Sequence, residues 1–238
     1  MMLYYRIKNI FAPKTCVFCR EELPWWAERD YCDDCYFKLP FKEEKRCLIC
    51  QRQINGAGEI KVCRICASRN MRFDVCYAPF NYEGVVESAV KRFKFASDKR
   101  CGRVLSEFMC RELEGINLSC DVIVYPPVNR RTKAERGYNQ SEVLAERISG
   151  KLGIPVIKNA IYKTRENEKQ SRQPFASRFS NVHGVFAVRP AVMEKLKRKN
   201  VLFTDDILTT GATASECSKV LKLAGAREVR VVTCAITH

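Results

Sequence analysis

Two adjacent carboxylates near the C-terminus, Asp205 and Asp206, are followed by a short run of small and hydroxyl-bearing residues. Carboxylates can accept hydrogen bonds from the hydroxyls of a sugar, or hold a phosphate-bound Mg²⁺ through water. Threonine hydroxyls and free backbone amides can hold a phosphate dianion where a helix begins. The run therefore predicts a sugar-phosphate site, which includes Thr209, Thr210, Gly211, Ala212 and Thr213.

The elements on either side of this run must position it. Residues 200–204 form an apolar stretch that predicts a buried strand, and a helical pattern leads from Ala214 to Gly225. The two acids would then lie at the carboxyl end of the strand, and the threonines at the strand-to-helix turn. The alternative is a capped connection in which the acids face water and the threonines only cap the helix.

Eight of the fourteen cysteines form four Cys-x-x-Cys pairs, separated by gaps of twelve, eleven and twelve residues. Each pair can offer two thiolates from one tight turn, and two such turns make a closed tetrahedral site for structural zinc. Disulfides are the alternative, but the spacing favours zinc. The repeat of about 31 residues favours two consecutive ribbons over an interleaved arrangement of the same ligands, which are Cys16, Cys19, Cys32, Cys35, Cys47, Cys50, Cys63 and Cys66.

The chain divides after the last cysteine pair into a small double zinc-ribbon domain, residues 1–70, and a larger domain, residues 71–238. The larger part alternates strand-sized apolar runs with helical patterns, which predicts an α/β fold with a doubly wound, mostly parallel sheet. In such sheets the ligand lies beyond the carboxyl ends of the strands. Strands are predicted at 73–82, 121–125, 155–157 and 227–236, and a strand or hairpin at 182–188. Helices are predicted from 84, around 104–113 and at 141–152.

The chain has a formal net charge of +15. Because a zinc ion with four thiolates carries −2, two such sites would bring residues 1–70 to about zero, so the surplus lies in the larger domain. Its basic clusters at 91–136 and 158–199 predict a phosphate-rich partner: a small polyphosphate, nucleic acid or both. Nothing in the sequence resembles a signal peptide or a membrane span, so we expect no membrane insertion and a soluble, cytoplasmic protein.

The acidic turn resembles the ribose-5-phosphate site of type I phosphoribosyltransferases, in which an apolar strand, two acids and a Thr-Thr-Gly-x-Thr run precede a helix. Together with the four cysteine pairs and a run from Pro127 through Arg130 and Arg131 to Gln140, the chain resembles the ComF family over nearly its whole length. Family members couple a double zinc ribbon to a phosphoribosyltransferase-type domain, and some are linked to DNA uptake in naturally competent bacteria. Further matching residues are Gln170, Arg178, Asn181, Gly184 and Phe186.

This resemblance implies roles for particular residues. Asp205 and Asp206 would meet the ribose hydroxyls, the turn from Thr209 to Thr213 would hold the 5-phosphate, and the loop that contains Pro127 would approach the pyrophosphate. Guanidinium and ammonium groups would neutralise the leaving pyrophosphate together with Mg²⁺. Those groups belong to Arg130, Arg131, Lys133 and Arg136, of which the first two join the aspartates as the predicted catalytic set.

One residue of the acidic turn differs from the type I phosphoribosyltransferases that act on 6-oxopurines, and this difference restricts the reactions expected. Thr209 stands where the 6-oxopurine transferases that resemble this motif carry an Asp, which disfavours purine salvage of that type. The chain has only two histidines, which leaves little scope for a Ser-His-Asp or Cys-His enzyme. Phosphoribosyl transfer needs neither, because its catalysis is chiefly electrostatic.

Two classes of function are compatible with these residues. The first is a Mg²⁺-dependent phosphoribosyltransferase of unknown acceptor. The second is a non-catalytic DNA-handling protein whose phosphoribosyl site senses phosphoribosyl pyrophosphate or a nucleotide. In it, the ribbons and the basic-aromatic run 91–95 would contact single-stranded DNA. For the first, the resemblance implies a role in DNA uptake, with the DNA-uptake machinery as a partner.

Two segments have competing interpretations. Helical spacing favours a plainer role for the run 91–95, as part of an amphipathic helix that buries Val90 and Phe93. The polar segment 163–181 would be either a mobile hood that orders over the ligand or a disordered loop.

Overall fold

The structure, a computed structural model, describes residues 13–41, 45–54, 60–116, 118–165 and 183–238, and only the backbone of Arg130. Seven strands lie within these ranges: β1 Val75–Tyr77, β2 Phe80–Asn81, β3 Val122–Val124, β4 Ile161–Lys163, β5 Phe186–Val188, β6 Asn200–Leu208 and β7 Glu228–Ile236. The central sheet has the order β1-β7-β6-β3, and β2 also pairs with β7. All of its pairings are parallel, whereas β4 and β5 form a separate antiparallel hairpin.

Eight α-helices accompany the strands in the described part of the chain: α1 Asp33–Phe37, α2 Arg64–Arg69, α3 Gly84–Phe95, α4 Lys99–Glu114, α5 Arg130–Arg136, α6 Gln140–Leu152, α7 Met193–Leu196 and α8 Ala212–Leu223. Local chemistry sets several of their ends. Asp98 Oδ1 caps α4 by accepting a hydrogen bond from the Arg100 amide, and Asn139 Oδ1 caps α6 through the Ser141 amide. Gly153, with a left-handed φ, ends α6.

The sheet buries both of its faces. Alternate residues of a strand point to opposite faces. Leu202 and Val232 belong to a core that also contains the buried sides of α3, α4 and α6, whereas Phe203 and Val231 belong to a core that contains α8 and the β4–β5 hairpin. We call these the α4 face and the α8 face. Helices on both faces of a parallel sheet confirm the predicted doubly wound α/β class.

The eight paired cysteines form two four-cysteine units with the same local hydrogen bonding. In the first unit, residues 13–41, the Leu23 amide donates to Lys14 O over 2.7 Å. In the second unit, residues 45–54 and 60–69, the amide at the equivalent position 54 donates to Lys45 O over 3.1 Å. Cysteines of the first unit pack into the α4-face core and those of the second into the α8-face core. The two units therefore lie against opposite faces of one sheet.

Most predicted elements are present, although several differ from the prediction: the strand predicted at 73–82 is two strands, and the short helices α1, α2 and α5 were not predicted. The strand predicted at 200–204 continues through both aspartates to Leu208, because β7 pairs with it along this length. Residues 155–157 supply only one isolated bridge, Val156 with Ile123, instead of a strand. Strand β4 was not predicted. The domain boundary at residue 70 stays a prediction, and residues 166–182, which contain most of the proposed hood with Gln170, Arg178 and Asn181, lie outside the described residues.

Helices long and apolar enough to cross a membrane are absent from the described part of the chain.

Candidate functional site

The acid pair lies inside strand β6, where three groups hold it. Ser141 Oγ, at the start of α6, donates a hydrogen bond to Asp205 Oδ1 over 2.9 Å, and the Asp206 amide donates to the same oxygen over 2.8 Å. Lys94 Nζ, in the last turn of α3, forms an ion pair with Asp206 Oδ1 at 2.9 Å. Burial of the carboxyl, followed by repulsion from Asp206, raises the pKa of Asp205 to about 7. Perturbed acids of this kind cluster at functional sites.

The turn after β6 is shaped to present backbone amides. Gly211 has a φ of +82°, in the left-handed region that favours glycine. Helix α8 begins at the next residue, and the first amides of a helix have no acceptor within that helix. Thr210 Oγ1 accepts a hydrogen bond from the Ala212 amide over 3.2 Å. The turn thus combines amides and the positive end of a helix dipole, which together attract an anion.

The acid pair and the turn line one cavity of about 480 Å³, the size of a small-molecule site. Four basic side chains also line it: Lys91, Lys94, Arg136 and Lys163. Mixed acidic and basic linings suit a ligand that carries both hydroxyls and phosphates. The structure therefore brings together the predicted sugar-phosphate residues with Pro127, namely Asp205, Asp206, Thr209, Thr210, Gly211, Ala212 and Thr213.

The four predicted pyrophosphate-binding cations are placed differently from one another. Arg136 lines the cavity, where its guanidinium lies 4.9 Å from the centre of the Phe95 ring. Lys133 lines a neighbouring cavity instead. Arg131 is 81 % exposed, forms an ion pair with Glu135 at 2.9 Å, and is not among the residues that line either cavity. The side chain of Arg130 lies outside the described residues.

Sequence reasoning missed three residues of the site: Lys94, Gln140 and Ser141. Lys94 was considered for DNA contact only, although α3 buries Val90 and Phe93 as the helical spacing predicted. Gln140 is 1 % exposed and lines the cavity; its Oε1 accepts from Arg136 Nη1 over 3.1 Å. Its Nε2 has no hydrogen-bond partner among the described residues.

A second cavity, of about 520 Å³, adjoins the first across Pro127, Val128 and Asn129. Lys163 borders both cavities, and its Nζ donates to Asn129 Oδ1 over 2.5 Å. The second cavity is lined by four basic side chains, Lys133, Lys163, Arg165 and Arg189. One acidic side chain also lines it, Glu142, which accepts a hydrogen bond from Tyr125 Oη. The cationic lining extends the anion-attracting surface beyond the turn.

The cysteines assemble as consecutive groups, which answers the question of pairing that the spacing left open. Cys16, Cys19, Cys32 and Cys35 form one group, and the remaining four form another: Cys47, Cys50, Cys63 and Cys66. Within each group all sulfurs lie within 4.8 Å of one another. Four thiols gathered at that separation, without an acid or histidine, have the composition of a closed structural zinc site. The six other cysteines are buried except Cys120, which is half-buried.

Fold and site together define an α/β protein with a phosphoribosyltransferase-like acidic turn, preceded by two four-cysteine units. Comparison with known proteins supports the predicted family. The chain is 24% identical to competence protein F of Haemophilus influenzae over 222 residues, which cover 91% of this chain and 94% of that protein. It is 28% identical over 153 residues to competence protein ComFC of Streptococcus pneumoniae, covering 64% of each.

A further relative is the DNA utilization protein YhgH of Escherichia coli, 26% identical over 157 residues that cover 63% of this chain and 67% of that protein. No protein-family model matches the chain. The predicted resemblance to the ComF family is nevertheless confirmed, because relatives with these names align with most of the chain and both groups of four cysteines are present.

Solved structures similar to this chain include the adenine phosphoribosyltransferase of Trypanosoma brucei, at 15% identity, a TM-score of 0.40 and coverage of 60% of this chain and 55% of that one. Another is the glutamine phosphoribosylpyrophosphate amidotransferase of Bacillus subtilis, at 23% identity and a TM-score of 0.37. That match covers 56% of this chain and about a quarter of the amidotransferase, 26%. Because these TM-scores are low, the fold class is established by the sheet topology alone.

Proposed function

We propose that this protein binds phosphoribosyl pyrophosphate with Mg²⁺ at the acidic turn and acts in DNA uptake during natural transformation. The observation that carries the proposal is the cavity at the end of β6, in which an acid pair is followed at once by a left-handed glycine and a helix start. The acids match the ribose hydroxyls, and the turn matches the 5-phosphate.

The donor set also fits Mg²⁺. This ion prefers oxygen ligands and usually binds through one or two carboxylates plus substrate phosphates. Asp205 and Asp206 supply adjacent carboxylates, and Lys94 is the cation that faces them at present. When bound, Mg²⁺ would neutralise charge on the pyrophosphate. Asp205 and Asp206 would hold the Mg²⁺ ion, either directly or through the ribose hydroxyls.

The chain's own residues suit phosphoribosyl transfer without a nucleophilic side chain. Breaking the bond between the sugar and pyrophosphate leaves positive charge on the sugar and negative charge on the leaving group. Arg136 and Lys163 line the cavity and would stabilise the leaving group. The acid pair would face the developing positive charge on the sugar. Ser141 holds Asp205 in place through its hydrogen bond.

The proposed biological role comes from the relatives. Two of them are named competence proteins and a third is named a DNA utilization protein. A match over nine tenths of both chains, as with the Haemophilus protein, favours the same role here. The acceptor of a phosphoribosyl group, if it is transferred, would enter through the second cavity, which adjoins the first.

The test is a calorimetric titration of the zinc-loaded protein with phosphoribosyl pyrophosphate and Mg²⁺. We expect saturable binding by the wild type and a loss of at least 100-fold in affinity in Asp205→Asn/Asp206→Asn. The matched control is Glu107→Gln/Glu194→Gln, which removes the same charge from exposed positions and should bind like the wild type. Equal affinity in the wild type and the double Asn variant would refute the proposal.

A second candidate function is a DNA-binding protein that uses the same site as a sensor. It is favoured by the four basic side chains around the second cavity. Lys133→Met/Arg165→Met should then weaken binding of a single-stranded oligonucleotide, and affinity should fall steeply with salt. Fluorescence anisotropy measures both effects. Release of pyrophosphate upon addition of candidate acceptors is expected only from a transferase, and no DNA binding at low salt would contradict the sensor.

A further inference from the structure

Equivalent positions in the two four-cysteine units carry different residues. The Cys16 amide donates to Glu21 O over 2.9 Å, and the Cys47 amide donates to Arg52 O over the same distance. Glu21 is exposed, whereas Arg52 is only 5 % exposed. Burial of a guanidinium costs free energy unless its N–H groups are hydrogen-bonded. The buried Arg52 is therefore expected to have hydrogen-bond acceptors in the protein.

Those partners are backbone carbonyls of the site and of the C-terminus. Arg52 Nε donates to Thr237 O over 2.7 Å, and Arg52 Nη2 donates to Thr209 O. Thr237 Oγ1 donates to Thr209 O as well, over 3.3 Å. The planar, forked guanidinium can reach both carbonyls at once, which a lysine ammonium does less well. One side chain of the second unit therefore ties the chain end to the first residue of the turn.

The geometry of the peptide bond makes this tie relevant to the ligand. In a trans peptide the carbonyl and the following N–H point in opposite directions. Because Thr209 O is held toward Arg52, the Thr210 N–H points away from it. Thr210 and the residues after it line the cavity. Fixing the Thr209 carbonyl thus fixes the orientation of the first amide of the turn.

The segment that follows the second unit also packs against the turn. Met71 Sδ lies 3.4 Å from the position that a Cβ would take at Gly211. Ser215 Oγ, in the first turn of α8, accepts a hydrogen bond from the Arg72 amide over 3.1 Å. Met71 and Arg72 directly follow the second unit. The Cys76 amide, in β1, donates to Ile49 O between two cysteines of that unit over 2.7 Å. The unit is therefore held on the sheet next to the turn.

We infer that Arg52 is a positioning residue for the phosphate-binding turn, through which the second four-cysteine unit orders the site before the ligand arrives. The metal-binding turn Cys47–Cys50 fixes the backbone at Arg52 through the bond from the Cys47 amide. The guanidinium then fixes the Thr209 carbonyl. Preorganised amides bind an anion more tightly because less ordering is needed upon binding. For its ligand, this inference rests on the proposed function.

The experiment compares Arg52→Met with Arg103→Met in the zinc-loaded, full-length protein. Arg103, on α4, forms an ion pair with Asp30 of the first unit and so anchors that unit to the opposite face. Both variants remove a guanidinium that attaches a four-cysteine unit. Three quantities are measured: zinc content, affinity for phosphoribosyl pyrophosphate with Mg²⁺, and amide hydrogen exchange of residues 208–215.

We expect Arg52→Met to retain two zinc ions per chain, bind the ligand at least tenfold more weakly, and exchange faster at residues 208–215 without ligand. Arg52→Lys should give intermediate values, because it keeps one donor and the charge. Arg103→Met should leave both affinity and exchange at the turn unchanged. Wild-type affinity and exchange in Arg52→Met would overturn the inference.

Two further arms keep the test decisive. If Arg52→Met loses its second zinc, Arg52→Lys decides at full zinc content, because it keeps the charge but cannot reach both carbonyls with a planar fork. Faster exchange at residues 208–215 in that variant supports the inference, and wild-type exchange overturns it. If the wild type fails to bind phosphoribosyl pyrophosphate, the proposed function fails, whereas the exchange comparison still tests Arg52.

Discussion

The two four-cysteine units share a local fold but differ in what they hold. The first attaches to α3 and α4, where Arg92 donates to Val17 O and Arg100 donates to Thr15 O over 3.3 Å. These two contacts do not involve residues of the acidic turn. The second unit contacts the turn itself through Arg52. Two units with the same local hydrogen bonding thus make different contacts: the first is held by helices, and the second reaches the phosphate-binding turn proposed above.

Exposure separates the units as well. All four cysteines of the second unit are buried, whereas Cys19 of the first is exposed and Cys32 is half-buried. A thiolate that solvent reaches can be attacked by a chelator or oxidant more readily. The unit beside the site is thus the better protected of the two.

The largest expected effect comes from metal removal. Structural zinc contributes about 10 kcal/mol or more to the folding of small zinc-binding units. We expect a chelator to remove zinc in two phases, with the first unit faster because of Cys19. Zinc release, followed with a chromogenic chelator, checks this expectation, and loss of the fold of residues 13–69 should accompany it.

The variant Cys16→Ser/Cys19→Ser assigns the phases. It should lack the fast phase and keep the slow one, with about one zinc per chain. A single phase in the wild type, or a fast phase that survives in this variant, would show that exposure does not distinguish the units.

The next effect is a pH dependence of the free energy of unfolding, which arises from the buried carboxyl of Asp205 in the site. Because the pKa of Asp205 is raised to about 7, the folded protein keeps a proton that the unfolded chain has lost above pH 4. The stability of the ligand-free protein therefore falls as pH rises toward 7 and levels off above it. Asp205→Asn keeps an acceptor for Ser141 and lacks this loss, so its stability advantage should grow by about 2 kcal/mol between pH 5.5 and 8.

Urea unfolding of both zinc-loaded proteins at the two pH values measures that advantage. Taking the difference between the proteins cancels the protonation of the cysteines. An advantage that stays constant, or that shrinks as pH rises, would contradict a raised pKa at Asp205.

The smallest effect is a loss of folding stability when a contact between the first unit and α4 is removed. Among the described residues, Arg103→Met leaves Lys14, at 3.2 Å, as the remaining cation beside the buried Asp30. We expect the free energy of unfolding to fall by about 1 to 2 kcal/mol, because a buried carboxylate loses one partner. Chemical denaturation measures this change. If Arg103→Met lost as much ligand affinity as Arg52→Met, the proposal that only the second unit orders the turn would be contradicted.

Local patterns explain how much of this protein could be predicted. The cysteine spacing predicted both metal-binding groups, because each Cys-x-x-Cys pair acts through a turn of four residues. The turn from Thr209 to Thr213 was predictable for the same reason: strand, acids, glycine and helix start are consecutive in sequence. Alternation of apolar strands and helices predicted the parallel sheet, since both of its faces require cover.

Contacts between distant segments explain what could not be predicted. Lys94 meets Asp206 only because α3 packs beside the end of β6, and its spacing within the helix does not signal an acidic partner. Arg52 meets Thr209 across 157 residues. The phosphate contact of Arg131 stays a prediction; its side chain is exposed on the short helix α5, where it pairs with Glu135. The sequence around a Lys or Arg does not indicate whether its side chain will face the site cavity or the solvent.

The decisive measurement is hydrogen exchange at residues 208–215 in two half-metallated proteins, Cys16→Ser/Cys19→Ser and Cys47→Ser/Cys50→Ser, without ligand. We predict wild-type protection of these amides when the first unit lacks its metal, and lost protection when the second unit lacks it. Equal protection of the turn in both proteins would contradict the claim that the second four-cysteine unit orders the phosphate-binding turn.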